Sequence, residues 1–194
     1  DDVLVDILDV DIVQNDTSIC EGESITLDAK SNISAFNVTQ TMHLVPSEYA
    51  TIQLAIDAAN NGDTIYVSNG TYVENIDDNY KNIYLIGEDK DSTIIDGNRN
   101  GSVVIVHGNS EINGFTIQNG LANTGGGGVY FGGMFNIKIV NCEISNNIAP
   151  MGGGIYGIGD LELNNVKIIN NSITGNYGGG IYLVGGVHYI SNTD

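Results

Sequence analysis

The chain has no tryptophan, two prolines, two cysteines and a single arginine, Arg99. Six basic residues against 24 acidic ones leave a formal charge of -18. That balance argues strongly against a nucleic-acid partner, since phosphate binding needs clustered Lys and Arg, and it disfavours an anionic membrane surface for the same reason. No apolar run reaches the roughly 18 residues that a membrane span needs, so no transmembrane segment is expected. The opening residues DDVLVDILDV lack the basic start of a signal peptide; the reading is that an exported form has already lost its signal. Cys20 and Cys142 follow no metal-ligand spacing, and two thiols alone leave the redox compartment open.

What is abundant is glycine, at 26 residues, together with asparagine. Such a chain is too rich in turn formers for a helical protein, yet its 41% hydrophobic content is too high for disorder. An all-β chain of many short strands fits both facts. Every charged residue before Lys30 is acidic, and residues 1–40 alternate apolar and polar positions (Val3, Val5, Ile7, later Ile25 and Leu27) with the period of half-buried strands. This segment is expected to be a β arm, too short to close a sandwich by itself.

From Val45 a second unit is expected to run to residue 194. Ile52, Ala55, Ile56 and Ala59 fall at helical spacing, Thr51 can cap the start and Asn60-Asn61-Gly62 can stop it, which predicts one short helix over about 51–61. Strand-like runs follow at 64–68, 81–87, 92–96, 102–107 and 112–118, separated by Asn, Asp and Gly turns. Internal repetition decides the fold. GGGVY at 126–130, GGGIY at 152–156 and GGGIY at 178–182 recur every 26 residues (126 to 152 to 178). Beside them runs the motif apolar-x-Ile-x-Asn, at Phe115/Ile117/Asn119, Cys142/Ile144/Asn146 and Val166/Ile168/Asn170, with Ile190/Asn192 ending in the same way. A repeat of this length, built of short strands and tight turns, is one coil of a parallel β-helix; a propeller blade would need about 40 residues. Stacked coils would place Ile117, Ile144, Ile168 and Ile190 in one interior file, the asparagines at a bend, and Val129, Ile155 and Ile181 inward after their glycine corners. The helix would cover the open first coil.

The stretches Val45 to Ile76, Asn82 to Asn98 and Ile112 to Gly120 resemble the secreted right-handed parallel β-helix repeat family, related in fold to pectate lyases. The GGGIY elements with Asn146-Asn147 and Asn170-Asn171 look like repeats of polymorphic outer-membrane and adhesin-like proteins. Within the arm, Asn15 to Ala29 resembles the opening strands of Bacteroidetes-type immunoglobulin-like modules. The resemblance implies a secreted or cell-surface protein, on a scaffold that carries lyases, esterases, hydrolases and plain adhesins alike.

Candidate chemistry is sparse. Lyases of this fold need a basic residue beside Ca²⁺-binding carboxylates, but Arg99 sits in a Gly-Asn-Arg-Asn-Gly turn. Between residues 112 and 194 the acids are Glu143, Asp160, Glu162 and Asp194, read as outward and solvated rather than as the paired carboxylates of a hydrolase. Asp89-Lys90-Asp91 fails the EF-type loop because Thr93 and Ile94 follow it; Ca²⁺ at other oxygen-rich turns stays open, and no other cofactor is implied. His43, His107 and His188 stand apart from any nucleophile motif and are read as structural or exposed, and Cys142 as buried. One surface feature stands out: if Val129, Ile155 and Ile181 face inward, Tyr130, Tyr156 and Tyr182 face outward on successive coils, as a column that either binds a ligand or reinforces the sheet. The expectation is a non-catalytic, secreted or cell-surface, adhesin-like β-helix partnered by its own copies, by surface proteins or by glycans. Its arm is expected either to pair with the uncapped coil that begins at His188 in a neighbouring copy, building a filament, or to fold back on its own chain, with further coils and a cap following the last one. The alternative is a carbohydrate-binding or carbohydrate-active protein on the same scaffold.

Overall fold

In the computed structural model, residues 40–193 are described. The arm expected at 1–40, apart from Gln40, the immunoglobulin-like stretch Asn15–Ala29 and Cys20 lie outside them, and with them the expected arm-to-coil pairing. The described chain is a right-handed parallel β-helix of about six turns, with one short helix.

Three faces make up the coils, and in the later ones a short parallel pair, Ile148–Met151 with Ser172–Tyr177, lies between the third face and the first. The second face is the longest, and its strands Met42–Val45, Thr64–Val67, Tyr84–Gly87 and Glu111–Asn113 pair in parallel before joining the later halves of Val129–Val140 and Ile155–Asn164, and then His188–Ser191. The first face stacks Ile76–Asp77, Val104–Val106, the leading halves of the same two long strands, and Ile181–Val184. The third face stacks Gly70–Val73, Thr93–Asp96, Thr116–Gln118, Glu143–Ser145 and Lys167–Ile169. The expected run 112–118 is two strands, because Gly114 at φ 83° turns the chain from the second face to the third.

Alternation puts every second side chain inside. Ile95, Ile117, Ile144 and Ile168 stack in register on the third face, the first three fully buried and Ile168 partly so. Each such burial contributes about 1.5–3 kcal/mol relative to exposure. Behind them Phe115, Cys142 and Val166 fill the corner. Val129 and Ile155 are buried as expected, Ile181 is half-buried, and Phe131 occupies the space that any Cβ on Gly157 would need, within 1.9 Å of its ring.

Ile190 does not join the Ile117 file. It pairs with Leu163 on the second face and is 54% exposed. The reason is that the same signature, an apolar residue followed two positions later by a left-handed Asn, serves two different bends. Asn119, Asn146 and Asn170 (φ 59°, 58° and 54°) end the third face, whereas Asn141, Asn165 and Asn192 (φ 50°, 55° and 49°) end the second. Gly185 and Gly186, both at positive φ, bring the chain round to the second face at His188.

The helix spans Ile52–Ala58, shorter than 51–61. Thr51 caps it, its hydroxyl accepting the Leu54 N–H at 3.2 Å. Ile52, Ala55, Ile56 and Ala59 are buried, and the helix packs against the strands at Met42–Val45, Thr64–Val67 and Ile76–Asp77 at the start of the solenoid. Met42–Val45 itself lies between the arm expected at 1–40 and the expected helix, where the sequence pattern marked no element.

Register is directly testable. Ile144→Ala should lower the unfolding free energy by about 2–5 kcal/mol as a core cavity, while Ile190→Ala should cost under about 1 kcal/mol. Urea melts of both variants decide it; equal losses would restore Ile190 to the interior.

Candidate functional site

Because Val129 and Ile155 turn inward, their neighbours Tyr130 and Tyr156 turn outward, and Tyr182 continues the column in register. The rings stack: Tyr130 and Tyr156 have centroids 5.6 Å apart with planes 11° apart, and Tyr156 and Tyr182 are 5.8 Å and 34°. Tyr177 adds a ring at 5.1 Å from Tyr182. At the other end His107 approaches Tyr130 edge-on at 6.4 Å and stacks on Tyr80 at 4.6 Å. Ring faces in the middle are therefore turned largely to one another, and Gly125 lies against Tyr156, leaving no room there for a Cβ. Edges and hydroxyls form the outer strip. The Tyr156 phenol is pushed above its ordinary value by burial and by the phenols of Tyr130 and Tyr182 on either side. Open ring faces lie at the ends, where Tyr80 is 73% and Tyr177 53% exposed.

Tyr80 is held in place by its neighbours. Asn79 and Tyr80 both adopt left-handed backbone (φ 54° and 62°), unusual for a bulky residue. The Asp77 carboxylate accepts the Asn79 N–H at 2.8 Å and the Asp78 carboxylate the Tyr80 N–H at 3.0 Å. Asp78 also accepts the backbone N–H groups of His107 (2.9 Å) and Gly108 (2.8 Å), tying two coils together. Burial raises the Asp78 carboxyl above its ordinary range, against the pull of those N–H donors.

Asp77, Asp78 and His107 offer side-chain donor atoms within 4.8 Å of one another. As a metal centre the set falls short. The Asp78 oxygens already accept those backbone donors, which leaves Asp77 and the His107 Nδ1, 3.5 Å apart, where zinc takes about four ligands and Ca²⁺ about six to eight. Asp89 accepts the Asp91 N–H at 3.1 Å and Lys90 pairs with Asp91, so that motif serves its own turn.

The remaining candidates are spread over the solenoid. Arg99 is exposed, in a left-handed turn with Asn98. Glu143 pairs with Lys167 at 3.2 Å on the third face, Glu162 lies 4.0 Å from Lys138 on the second, and exposed Asp160 accepts the Val187 N–H. Cys142 is fully buried, and burial pushes its thiol up to about 12. His188 is half-buried on the second face.

One buried polar knot escaped the sequence reading. His43 Nε2 meets Asp63 at 3.0 Å and its Nδ1 meets the Tyr49 hydroxyl at 3.2 Å, with His43 and Asp63 almost wholly enclosed beneath the capping helix's end. Asp63 also accepts the N–H groups of Thr41 and Asn60. Burial opposes ionisation, but the Asn60 N–H, the His43 ring and the Thr41 N–H outweigh it and hold the Asp63 carboxyl at about 2, below the ordinary 3.8. The visible signal was a lone His in an alternating run, which carries no partner information.

Three solved pectin methylesterases are similar in fold. One, in complex with a hexasaccharide, is 14% identical over 70% of this chain and 56% of its own, with a TM-score of 0.47. One from Aspergillus niger is 16% identical over 80% and 69%, at 0.49, and one from carrot is 18% identical over 86% and 65%, at 0.44. The chain thus spans little more than half of the first of these. No protein-family model and no curated protein matches it. The reading of the site rests on this chain's own residues.

The Asp63 knot sets an acid limit. Its carboxyl titrates lower in the folded chain than in the unfolded one, so its stabilisation is complete above about pH 4 and is lost as pH falls from there towards 2. Asp63→Asn should cost about 2–4 kcal/mol at pH 7, by leaving buried donors mispaired, and should flatten the pH 4 to 2 decline in urea midpoint. An unchanged decline would show that another group sets it.

Proposed function

We propose that this protein is a non-catalytic, carbohydrate-binding β-helix of adhesin type, which presents its outer faces to glycans at a cell surface or in the extracellular space. The observation that carries the reading is the column from Tyr80 through His107, Tyr130, Tyr156 and Tyr182 to Tyr177. It supplies a strip of ring edges and hydroxyls at 5–6 Å intervals along most of its length, with open faces at both ends. Aromatic rings with a polar tip suit sugars, whose C–H faces stack on rings while their hydroxyls exchange hydrogen bonds. Tyr80 adds weight, because a strained backbone that holds a large ring in solvent is a common mark of a contact site.

The non-catalytic part is supported by where the reactive groups sit. The Cys142 thiol is enclosed and held protonated. His43 is bound between Asp63 and Tyr49, and Asp78 between backbone donors. The resemblance to secreted repeat proteins supports the extracellular setting.

The test combines binding with turnover. The chain should be retained by immobilised polysaccharide in affinity electrophoresis and should release neither reducing ends nor methanol on long incubation. Tyr80→Ala should weaken retention about five- to tenfold, the worth of one stacked ring, with a stability loss limited to the one ring pair that it makes with His107, about 0.5–1.5 kcal/mol. Tyr156→Ala should cost about 0.5–1.5 kcal/mol of stability per lost ring pair. Product release, or retention indifferent to Tyr80, would overturn the reading.

A further inference from the structure

On the second face a different outward file runs along the axis. Tyr84, Glu111, Lys138, Glu162 and Tyr189 occupy equivalent positions on five successive coils. The Lys138 ammonium lies 3.6 Å from Glu111 and 4.0 Å from Glu162. Beside this file, at the bend that enters the face, Asn82 and Asn109 each accept through Oδ1 the backbone N–H of the next coil, at 2.7 Å from Asn109 and 2.8 Å from Asn136. Their oxygens are engaged, so the exposed side chains of this ladder offer their amide NH₂ groups. Between the two files lies a shallow groove of about 340 Å³, lined by Tyr84, Asn109, Glu111, Asn136, Lys138 and Glu162.

The groove repeats donors and acceptors at the strand spacing of about 4.8 Å. Along one file two carboxylates accept on either side of the donating Lys138 ammonium, amide N–H groups donate from the other file, and an exposed ring, Tyr84 at 42%, lines one end, with Tyr189 at 68% following Glu162 in the file. A polymer of hydroxyl-bearing rings matches this pattern, because each hydroxyl both donates and accepts. A polyanion does not match it: two carboxylates already neutralise the one ammonium, in a chain of charge -18. An extended peptide finds no free strand edge here, since the backbone groups of these strands pair within the sheet.

We propose that this groove is a second binding subsite, taking a neutral, unbranched polysaccharide laid along the solenoid axis with about one sugar unit per coil. The proposal rests on the carbohydrate-binding reading above and adds to it a separate site and a ligand class.

The experiment titrates the full chain by calorimetry with a soluble neutral glucan, a neutral xylan and polygalacturonate, using the native sequence, the double variant Glu111→Gln with Glu162→Gln, Lys138→Met, and Tyr80→Ala. All substituted side chains are at least partly exposed, and thermal midpoints confirm that each variant folds. The native chain should bind a neutral polymer and not polygalacturonate. The double variant and Lys138→Met should each lose about tenfold in affinity, the low end of what one charge-assisted hydrogen bond is worth, with Lys138→Arg restoring most of it. Neutral-polymer binding that falls with Tyr80→Ala but ignores the groove variants would overturn the groove while leaving the carbohydrate reading intact. Polygalacturonate binding that depends on Lys138 would overturn the neutral class. Failure of every polymer to bind the native chain would overturn both.

Discussion

The structure depends on one constraint: every coil must return the chain to the same register, one strand spacing further along the axis, with no backbone polar group stranded at the corners. The faces satisfy this through parallel ladders. The corners cannot, because there the chain turns and its N–H and C=O groups point away from the ladder. Asparagine resolves the difficulty twice over. Its tolerance of left-handed backbone lets one residue make a bend, as at Asn141, Asn165, Asn119, Asn146 and Asn170. Its amide supplies the missing partner, as where fully buried Asn147 donates to the Ile117 carbonyl, accepts the Gly120 N–H and meets Asn171 in the next coil.

Two further asparagine ladders run along other corners. Asn165 donates to Asn141 and Asn141 to Asn113 where the second face ends, and Asn61, Asn82, Asn109 and Asn136 are linked where it begins. The last of these links the fold to the proposed function. Using the oxygens internally leaves a row of amide donors outside, so a device that closes the corner also patterns the surface at the coil repeat. The aromatic column works the other way. Its rings stabilise the first face by stacking, and only where the stack ends do open ring faces remain.

Repetition made the architecture legible from sequence. Alternation identified Ile117, Ile144, Val129 and Ile155 as interior, and the glycine corners placed Tyr130, Tyr156 and Tyr182 outside, because a solenoid copies a local pattern into a spatial file. The same economy concealed the error at Ile190. An Ile-x-Asn signature states that a strand ends in a left-handed bend, and two bends per coil carry it, so sequence alone cannot say which. Only the pairing of His188–Ser191 with Leu161–Asn164 distinguishes them.

What the sequence could not show are contacts between residues about a coil apart that have no repeated counterpart. His43 with Asp63, Asp78 with the His107 and Gly108 backbone, and Lys138 held between Glu111 and Glu162 join positions 20 to 30 apart, and none of these three arrangements repeats among the described residues. Non-repeating contacts in a repeating fold are also where specificity can reside. A uniform solenoid offers the same surface at every coil and so binds by length alone, whereas the acid-base-acid pattern on the second face fixes a position and a register for whatever lies along it. A ligand sliding by one coil would set Lys138 against the partner meant for a carboxylate. In the proposed site, then, the long repeat would supply reach, and the few irregular side chains would decide where along it a polymer settles.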